Sequence, residues 1–315
     1  MTAVPAAGEK TPRRPKRAAS GAQRSESRVA WAFSAPALFL LLAFIVLPFA
    51  LAFVLSFTNQ RLISPLPTRF VGVDNYVDTL TSATFWKAFF NNVWFVVIVV
   101  PVQTAFALWL AILVNRKIPG RVFFRTVFFL PVVTVMAAAA VIWSLLFNAN
   151  GLVNAIMETV TFGAFSPDWL NSTIWALPAM MIVGIWQGVG FQMVILLAAL
   201  QDVPEVLYEA ASIDGASRWQ QFTNVTLPGI RNGLIFVITV TTILAFRLFD
   251  QVYIMPRVPG GPLDSTRTMM LELVETGFGA QAIGRGAAIA VIFFVVVLVL
   301  TLIQRRFIRE EGEAT

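Results

Sequence analysis

The 315-residue chain contains no cysteine and no histidine. Without cysteine no disulfide can form, and without both residues the usual zinc sites lose their thiolate and imidazole ligands. The same absences exclude catalysis by Ser-His-Asp or Cys-His arrangements. No G-x-x-x-x-G-K-[ST] phosphate loop occurs in the sequence, so the chain does not bind ATP by that route. We therefore expect a protein that is not an enzyme and that binds no metal or cofactor itself.

Charge is also scarce, at 13% of residues, whereas hydrophobic residues make up 57%. The mean hydropathy is +0.76, far above that of a soluble domain. Because a membrane-spanning helix needs about 20 apolar residues, the long apolar runs predict an all-α integral membrane protein. Six transmembrane helices are predicted, at residues 31–57, 93–114, 122–147, 174–200, 233–249 and 284–303.

The first predicted span has an alternative interpretation as a cleaved signal peptide. Basic residues precede it, and Ala50 and Ala52 mimic a cleavage site. The apolar run is longer than in a typical signal peptide, so we interpret it as a retained span. Residues 1–30 before it are rich in Lys and Arg with little to bury, which predicts a disordered basic tail.

The distribution of basic residues predicts the orientation. Six spans place both termini on one side of the membrane, and most of the 23 Lys and Arg residues fall on that side, in the tail, at residues 116–125 and 201–231, and at the C-terminal end. By the positive-inside rule this side is the cytoplasm. We therefore expect both termini and the segment 201–231 to be cytoplasmic.

A polar island at residues 201–231 separates the fourth and fifth predicted spans. Residues 207–213 contain good helix formers, and Gly215 permits a bend because glycine tolerates unusual backbone angles. Residues 219–227 give a second segment an apolar side, and Pro228 is expected to end it. The island therefore predicts a helix, a bend and a second helix lying flat against the membrane.

The spacing of this island resembles the EAA loop of binding-protein-dependent ABC importer permeases. Glu-Ala-Ala is followed after three intervening residues by Gly215 and, after nine further intervening residues, by Val225-x-Leu227-Pro228, with Val225 where the family usually has Ile. The resemblance implies a cytoplasmic coupling helix pair that docks on an ATPase; an ordinary interfacial helix is the alternative. The expected ATPase-coupling residues are Glu209, Ala210, Ala211, Asp214, Gly215, Leu227 and Pro228.

A second element narrows the resemblance. Phe70, Gly72, Asn75 and Tyr76 resemble the FxGxxNY element that carbohydrate-type permeases carry outside the membrane. The resemblance implies that residues 31–315 form an importer domain in the bacterial plasma membrane. It also implies a second homologous permease in a heterodimer, two ATPase subunits that bind ATP and Mg, and an extracytoplasmic solute-binding protein. The bilayer is a further partner, and no nucleic acid is expected.

The same resemblance points to candidate substrate contacts. Gly184, Gln187, Gly188 and Phe191 fall where maltose-type permeases line their sugar pocket, as do Ile243 and Arg247; only Gly188 keeps the residue type. Trp186 adds an aromatic face suited to a sugar. Arg247 and Asp250 are three residues apart on one predicted helix, so they form either a neutralising pair or a substrate-facing pair, or both. Asn91 and Asn92 are expected to cap the second span, and Trp143 and Trp175 to serve packing or the membrane interface.

The predicted function is that of a permease subunit that imports a sugar by alternating access, with ATP hydrolysed by a separate subunit. Arg247 also suits a phosphate, so glycerol-3-phosphate or another polar solute is the alternative. An independent secondary transporter is expected to carry paired acidic residues within its spans, and Asp250 is the only acidic residue near one. A membrane-embedded enzyme is disfavoured by the missing histidine, cysteine and carboxylate pair.

Overall fold

The computed structural model describes residues 22–64, 67–116 and 119–310. Every regular element in these ranges is helical, apart from one antiparallel bridge between Thr58 and Phe70. This confirms the predicted all-α class for the described part of the chain. The chain divides into two compact units, residues 1–51 and 52–315.

The first unit is helical over its described part. Helix α1 spans Ala22–Leu41 and a π-helical turn spans Leu42–Val46. Helix α2 (Leu47–Leu55) begins in this unit. A disordered tail is predicted for residues 1–30, and residues 1–21 of it lie outside the described residues. The described part of this tail differs from the prediction, because a helix begins at Ala22. Residues 22–30 are helical because Ala, Gln, Glu and Arg, all good helix formers, dominate them.

The second unit holds the remaining helices. In chain order they are α3 (Asp74–Thr81), α4 (Ala83–Asn115), α5 (Arg121–Val133), α6 (Met136–Leu146), α7 (Leu152–Val160), α8 (Ala176–Gln201), α9 (Glu205–Ile213), α10 (Arg218–Gln221), a π-helical turn (Phe222–Thr226), α11 (Leu227–Gly229), α12 (Arg231–Phe246), α13 (Asp250–Ile254), a 3₁₀ turn (Pro262–Asp264), α14 (Met269–Val274), a π-helical turn (Glu275–Gly279) and α15 (Ile283–Glu310).

Five helices in the described residues are long and apolar enough to cross a membrane, or six if the bent pair α5 and α6 is one span. Four of the five include most of the predicted second, fourth, fifth and sixth spans, but α4 begins at Ala83 rather than near residue 93. Asn91 and Asn92 therefore lie inside α4, and their predicted role as an N-cap is wrong. The residue at that boundary is Ser82.

The predicted third span, residues 122–147, is broken. Helices α5 and α6 meet at an angle of 99°. Pro131 stands in the last turn of α5, where it removes one backbone donor. Both the N–H and the hydroxyl of Thr134 bond to the carbonyl of Pro131, at 3.2 and 2.6 Å, which ends the helix there.

The fifth span is broken as well. Helix α12 ends at Phe246, Arg247 follows it, and Asp250 begins α13. The prediction that Arg247 and Asp250 share one helix face is therefore wrong. Two carbonyls at this break have side-chain partners from elsewhere: Asn92 donates to Phe246 at 3.1 Å and Thr268 donates to Leu248 at 2.9 Å.

The core of the second unit lies between α4, α8 and α12. Ala107 and Ala111 of α4 and Met193 and Leu196 of α8 are all fully buried in one cluster. Gly190 allows α5 to approach α8 closely, since a methyl group there would lie 3.0 Å from the carbonyl carbon of Phe128 and overlap its oxygen. Small residues thus set the spacing of these helices, as is usual for helix pairs in membranes.

Candidate functional site

A cavity of about 470 Å³ opens between the long helices of the second unit. Its walls come from α4, α8, α12 and the start of α13, with residues on both sides of the α5–α6 break. Its volume falls within the usual range for small-molecule sites. The lining residues are Phe95, Val99, Gln103, Val132, Met136, Gly184, Gln187, Gly188, Phe191, Thr241, Leu244, Ala245, Arg247, Leu248, Phe249, Asp250 and Gln251.

Both helix breaks border this cavity. Val132 and Met136 flank the first break, and the second contributes every residue from Arg247 to Asp250. Both breaks lie within candidate spans. Non-helical backbone at membrane depth is tolerated where it is buried in protein or lines a cavity, and discontinuous helices often mark the binding sites of transporters. At the first break, Gln187 donates to the carbonyl of Thr134 at 3.3 Å.

The structure brings together six of the eight residues predicted to contact substrate. These six line the cavity: Gly184, Gln187, Gly188, Phe191, Arg247 and Asp250. Trp186 instead packs edge-on against Trp143, with ring centroids 5.4 Å apart, and Ile243 is half-buried away from the lining. Trp143 and Trp175 pack among other rings, as expected.

Sequence reasoning missed two amides of the lining, Gln103 and Gln251. Gln103 is 4% exposed and Gln251 is 5% exposed. The signal for Gln103 was present, because an amide within an otherwise apolar span is costly unless it has a role. Gln251 was missed because the fifth span was predicted to end at residue 249, so Gln251 fell outside the predicted spans.

Two glycines of α8 make room for these amides. A methyl group on Gly188 would lie 2.9 Å from Cδ of Gln103 and closer still to its Nε2. A methyl group on Gly184 would lie 3.0 Å from the ring of Phe95 and 3.9 Å from Nε2 of Gln251. Gln103 therefore occupies the space that a side chain at position 188 would take.

Arg247 and Asp250 are the charged residues of the lining. Among the interactions recorded for the described residues, neither side chain makes an ion pair or a hydrogen bond. Arg247 is exposed and Asp250 half-buried. They therefore do not form the neutralising pair offered as one interpretation, and both remain available to a solute in the cavity.

The polar island forms two helical segments joined by a bend. Helix α9 ends before Asp214, and Gly215 has φ +77°, the left-handed region that glycine adopts without strain. Ser217 then starts α10 with a capping box, in which Ser217 and Gln220 bond each other's backbone N–H. Tyr208 bonds to Thr226 at 3.0 Å, so the two segments are held together.

Pro228 does not end the second segment, contrary to expectation. The helix passes through a π-helical turn, in which Leu227 N–H bonds to the carbonyl of Phe222. Pro228 then stands in the first turn of α11, where a missing N–H is tolerated. Helical backbone thus runs from Arg218 through a short break at Ile230 into α12.

This island exposes both charge and apolar surface. Glu209, Ala210, Asp214, Gly215 and Pro228 are exposed, while Ala211 and Leu227 are half-buried. Large apolar side chains lie exposed beside them, with fractions of 68% for Val206, 86% for Ile213 and 70% for Trp219.

The FxGxxNY element holds the end of α2. Asn75 donates to the carbonyls of Ser56 and Thr58, each at 2.8 Å. The hydroxyl of Tyr76 lies 2.6 Å from that of Ser56, and Gly72 adopts φ +61° at the turn before them. This element therefore has a structural role in tying a helix end to the following loop.

Comparison with known proteins agrees with this architecture. Residues 103–310 match the family described as binding-protein-dependent transport system inner membrane component. The crystal structure of a bacterial ABC transporter that imports the acidic polysaccharide alginate superposes with a TM-score of 0.77 at 21% identity, over 92% of this chain and 98% of that one. The superposition on the alginate transporter establishes the fold.

Two related permeases match this chain over more of its length than the family model does. The lactose transport system permease protein LacF of Rhizobium radiobacter is 32% identical over 89% of this chain and 94% of its own. The trehalose/maltose transport system permease protein MalF of Thermococcus litoralis is 33% identical over 88% and 92%. The fold and cavity are those of a multi-pass membrane transport protein. The chain belongs to the binding-protein-dependent inner membrane components, the permeases of ABC importers, which confirms the resemblance seen in the sequence.

Proposed function

We propose that this chain is the permease subunit of an ATP-driven importer and forms the pathway for a sugar delivered by an extracytoplasmic binding protein. The observation that carries the proposal is the cavity, which two broken helices border and which holds unpaired polar groups. Relatives named for lactose and for trehalose and maltose support a sugar as the solute.

The lining has the chemistry that a sugar requires. Hydroxyl groups both donate and accept hydrogen bonds, and amide, carboxylate and guanidinium groups together supply both kinds of partner. Phe95 and Phe191 add aromatic surface for the C–H faces of a sugar ring. From the residues predicted to contact substrate, we assign three as polar contacts, namely Gln187, Arg247 and Asp250.

The polar island is the proposed contact with the ATPase. Glu209 and Asp214 are exposed carboxylates without an ion pair among the recorded interactions of the described residues. They are suited to basic groups on an ATPase, while Val206, Ile213 and Trp219 supply apolar area. Ala210, Ala211, Gly215, Leu227 and Pro228 shape the helix pair. ATP and Mg bind to the ATPase, and this chain carries out no covalent step.

The proposed setting is the bacterial inner membrane with six spans, α5 and α6 counting as one, and with both termini cytoplasmic. The partners are a second homologous permease, two ATPase subunits and a binding protein. The alginate transporter, solved in complex with a pentasaccharide-bound periplasmic protein, has this fold and supports a binding-protein partner. Alternating access then moves the cavity opening from the outer to the inner side.

The test is uptake of a labelled panel in cells with and without this chain. The panel holds monosaccharides, oligosaccharides, glycerol phosphodiesters and glycerol-3-phosphate. We expect loss of one sugar's uptake, restored by the wild-type chain. Glu209→Lys is expected to lower the restored uptake by at least about tenfold, as when a charge at an interface is reversed.

Glu158→Lys is the matched control. Glu158 is an exposed carboxylate on α7, outside the polar island, and accepts a bond from Ser166 at 2.7 Å. Equal losses for both variants would contradict the coupling role of the island. Loss of glycerol-3-phosphate uptake alone would replace the sugar by a phosphorylated solute.

A further inference from the structure

We propose that Gln103 and Gln251 bind hydroxyl groups of the transported solute and select an uncharged polyhydroxyl compound over a phosphorylated one. The inference rests on the proposed function, because it assigns ligands within the same cavity. It depends on a separate observation, namely two deeply buried amides that have no partner.

Neither amide is satisfied within the protein. Gln103 and Gln251 are both more than nine-tenths buried, and no hydrogen bond to either side chain is recorded among the described residues. Deeply buried side-chain amides are normally hydrogen-bonded within the protein, so two that bond to no protein group are unusual. Their polar atoms are not sealed in the protein interior, and both residues line the cavity. A ligand in the cavity is the partner that would satisfy them.

The two amides are spaced along one wall. Gln103 lies against Gly188 and Gln251 beside Gly184, and these glycines are four residues apart on α8. Four residues of helix rise about 6 Å. The two glycines against which the amides lie are therefore about as far apart as hydroxyl groups on opposite sides of a sugar ring, so we expect one ring to reach both amides.

The donor and acceptor balance decides the class of solute. Each amide presents one acceptor, Oε1, and two N–H donors on Nε2. A hydroxyl can accept from Nε2 and donate to Oε1, whereas ionised phosphate oxygens only accept, so an amide that meets the phosphate group keeps an unpaired Oε1. Asp250, an unpaired carboxylate in the same lining, also repels a phosphate. Arg247 is the one lining group that favours an anion.

The experiment measures uptake in cells that carry the complete importer, with Gln103→Leu and Gln251→Leu tested separately. The transported sugar is compared with analogues that each lack one hydroxyl. We expect each variant to lower uptake of the parent sugar about three- to tenfold, the effect of one hydrogen bond. For one deoxy analogue, the variant and the wild type should then transport equally, because the hydroxyl that binds the amide is already gone.

Gln304→Leu is the matched control. Gln304 is outside the cavity lining and donates to Thr242 at 2.9 Å. We expect it to change the uptake of all analogues by one common factor or not at all. Uptake is normalised to the amount of chain in the membrane. If the Leu variant at position 103 fails to accumulate, Gln103→Asn replaces it in the experiment, because Asn keeps the amide on a shorter side chain.

The outcomes separate this inference from the proposed function. Suppose that the wild type imports a sugar and that both Leu variants import it normally, or reduce the uptake of all analogues by the same factor. The amides are then not ligands, and the inference is overturned while sugar import stands. If the wild type imports no sugar, the proposed function fails and the inference with it. Uptake of glycerol-3-phosphate in preference to sugars contradicts the selection for an uncharged solute.

Discussion

The second unit contains two sets of buried polar side chains that differ in one respect. Near α14, Arg267 forms ion pairs with Asp264 at 2.8 Å, Glu272 at 2.8 Å and Glu275 at 2.6 Å. Burial opposes the charge of Arg267, but these carboxylates outweigh burial and raise the pKa of its guanidinium. In the cavity, by contrast, the buried amides of Gln103 and Gln251, half-buried Asp250 and exposed Arg247 have no partner among the described residues.

Paired polar groups specify a fold, whereas polar groups that face the cavity without a protein partner are left for a ligand to bond. Asn92 belongs to the first set, since it donates to Phe246 at the end of α12 and accepts from Met269 N–H at the start of α14, at 2.8 Å. Gln103, on the same helix, belongs to the second. Substitutions in the two sets should therefore have opposite effects on stability.

The largest effect is expected for Arg267→Met. The change leaves Glu272, whose side chain is 9% exposed, as a buried carboxylate without its cation. Removing one partner of a buried ion pair costs about 3–5 kcal/mol, so the free energy of unfolding in detergent should fall by about that amount. Denaturant titration of the purified chain measures it.

Arg257→Met is the control for that loss. Arg257 is exposed and has no ion pair among the described residues, so its free energy of unfolding should change by less than about 0.5 kcal/mol. A similar small change for Arg267→Met would show that its ion pairs do not stabilise the fold.

An intermediate effect is expected for Asn92→Leu. The substitution leaves the Phe246 carbonyl and the Met269 N–H buried and unpaired, at a cost of about 2–3 kcal/mol. Asn91→Leu provides the comparison, because half-buried Asn91 donates to the carbonyls of Asp264 and Arg267 in a more accessible place. Its expected cost is about 1 kcal/mol. Equal losses measured by denaturant titration would contradict the importance of burial.

The smallest change in the free energy of unfolding, and one of opposite sign, is expected for Gln103→Leu and Gln251→Leu. An apolar side chain of similar size replaces an unsatisfied amide, so the free energy of unfolding should stay unchanged or rise by about 1 kcal/mol. The transported sugar should stabilise the wild type more than either variant. A clear loss of stability in the unliganded variants would place these amides in the first set.

Some of this site could be predicted from the sequence because its signals are local. Gly215 was assigned to a bend on its residue type alone, and the bend has φ +77°. The resemblance to maltose-type permeases pointed to Gly184, Gln187, Gly188 and Phe191, whose spacings follow the helical period and put them on one side of α8. The structure places all four in the lining.

The remainder depends on contacts distant in sequence or on backbone geometry that hydropathy does not register. The break at Thr134 interrupts a helix without interrupting the apolar run, and the break after Phe246 ends α12 three residues before the predicted end of the fifth span. Asn92 was interpreted as a cap because its true partners, Phe246 and Met269, lie more than 150 residues away along the chain. Gln103 likewise meets α8 only in the folded protein.

Gly188 has a consequence for how substrate range changes during evolution. Because any side chain at this position would displace the amide of Gln103, an apolar substitution there would alter the proposed solute contact without adding a polar group or removing one. The two positions are therefore expected to change together among descendants selected on new sugars. An adaptive library that varies residues 103 and 188 jointly should reach new solutes that variation at either position alone does not.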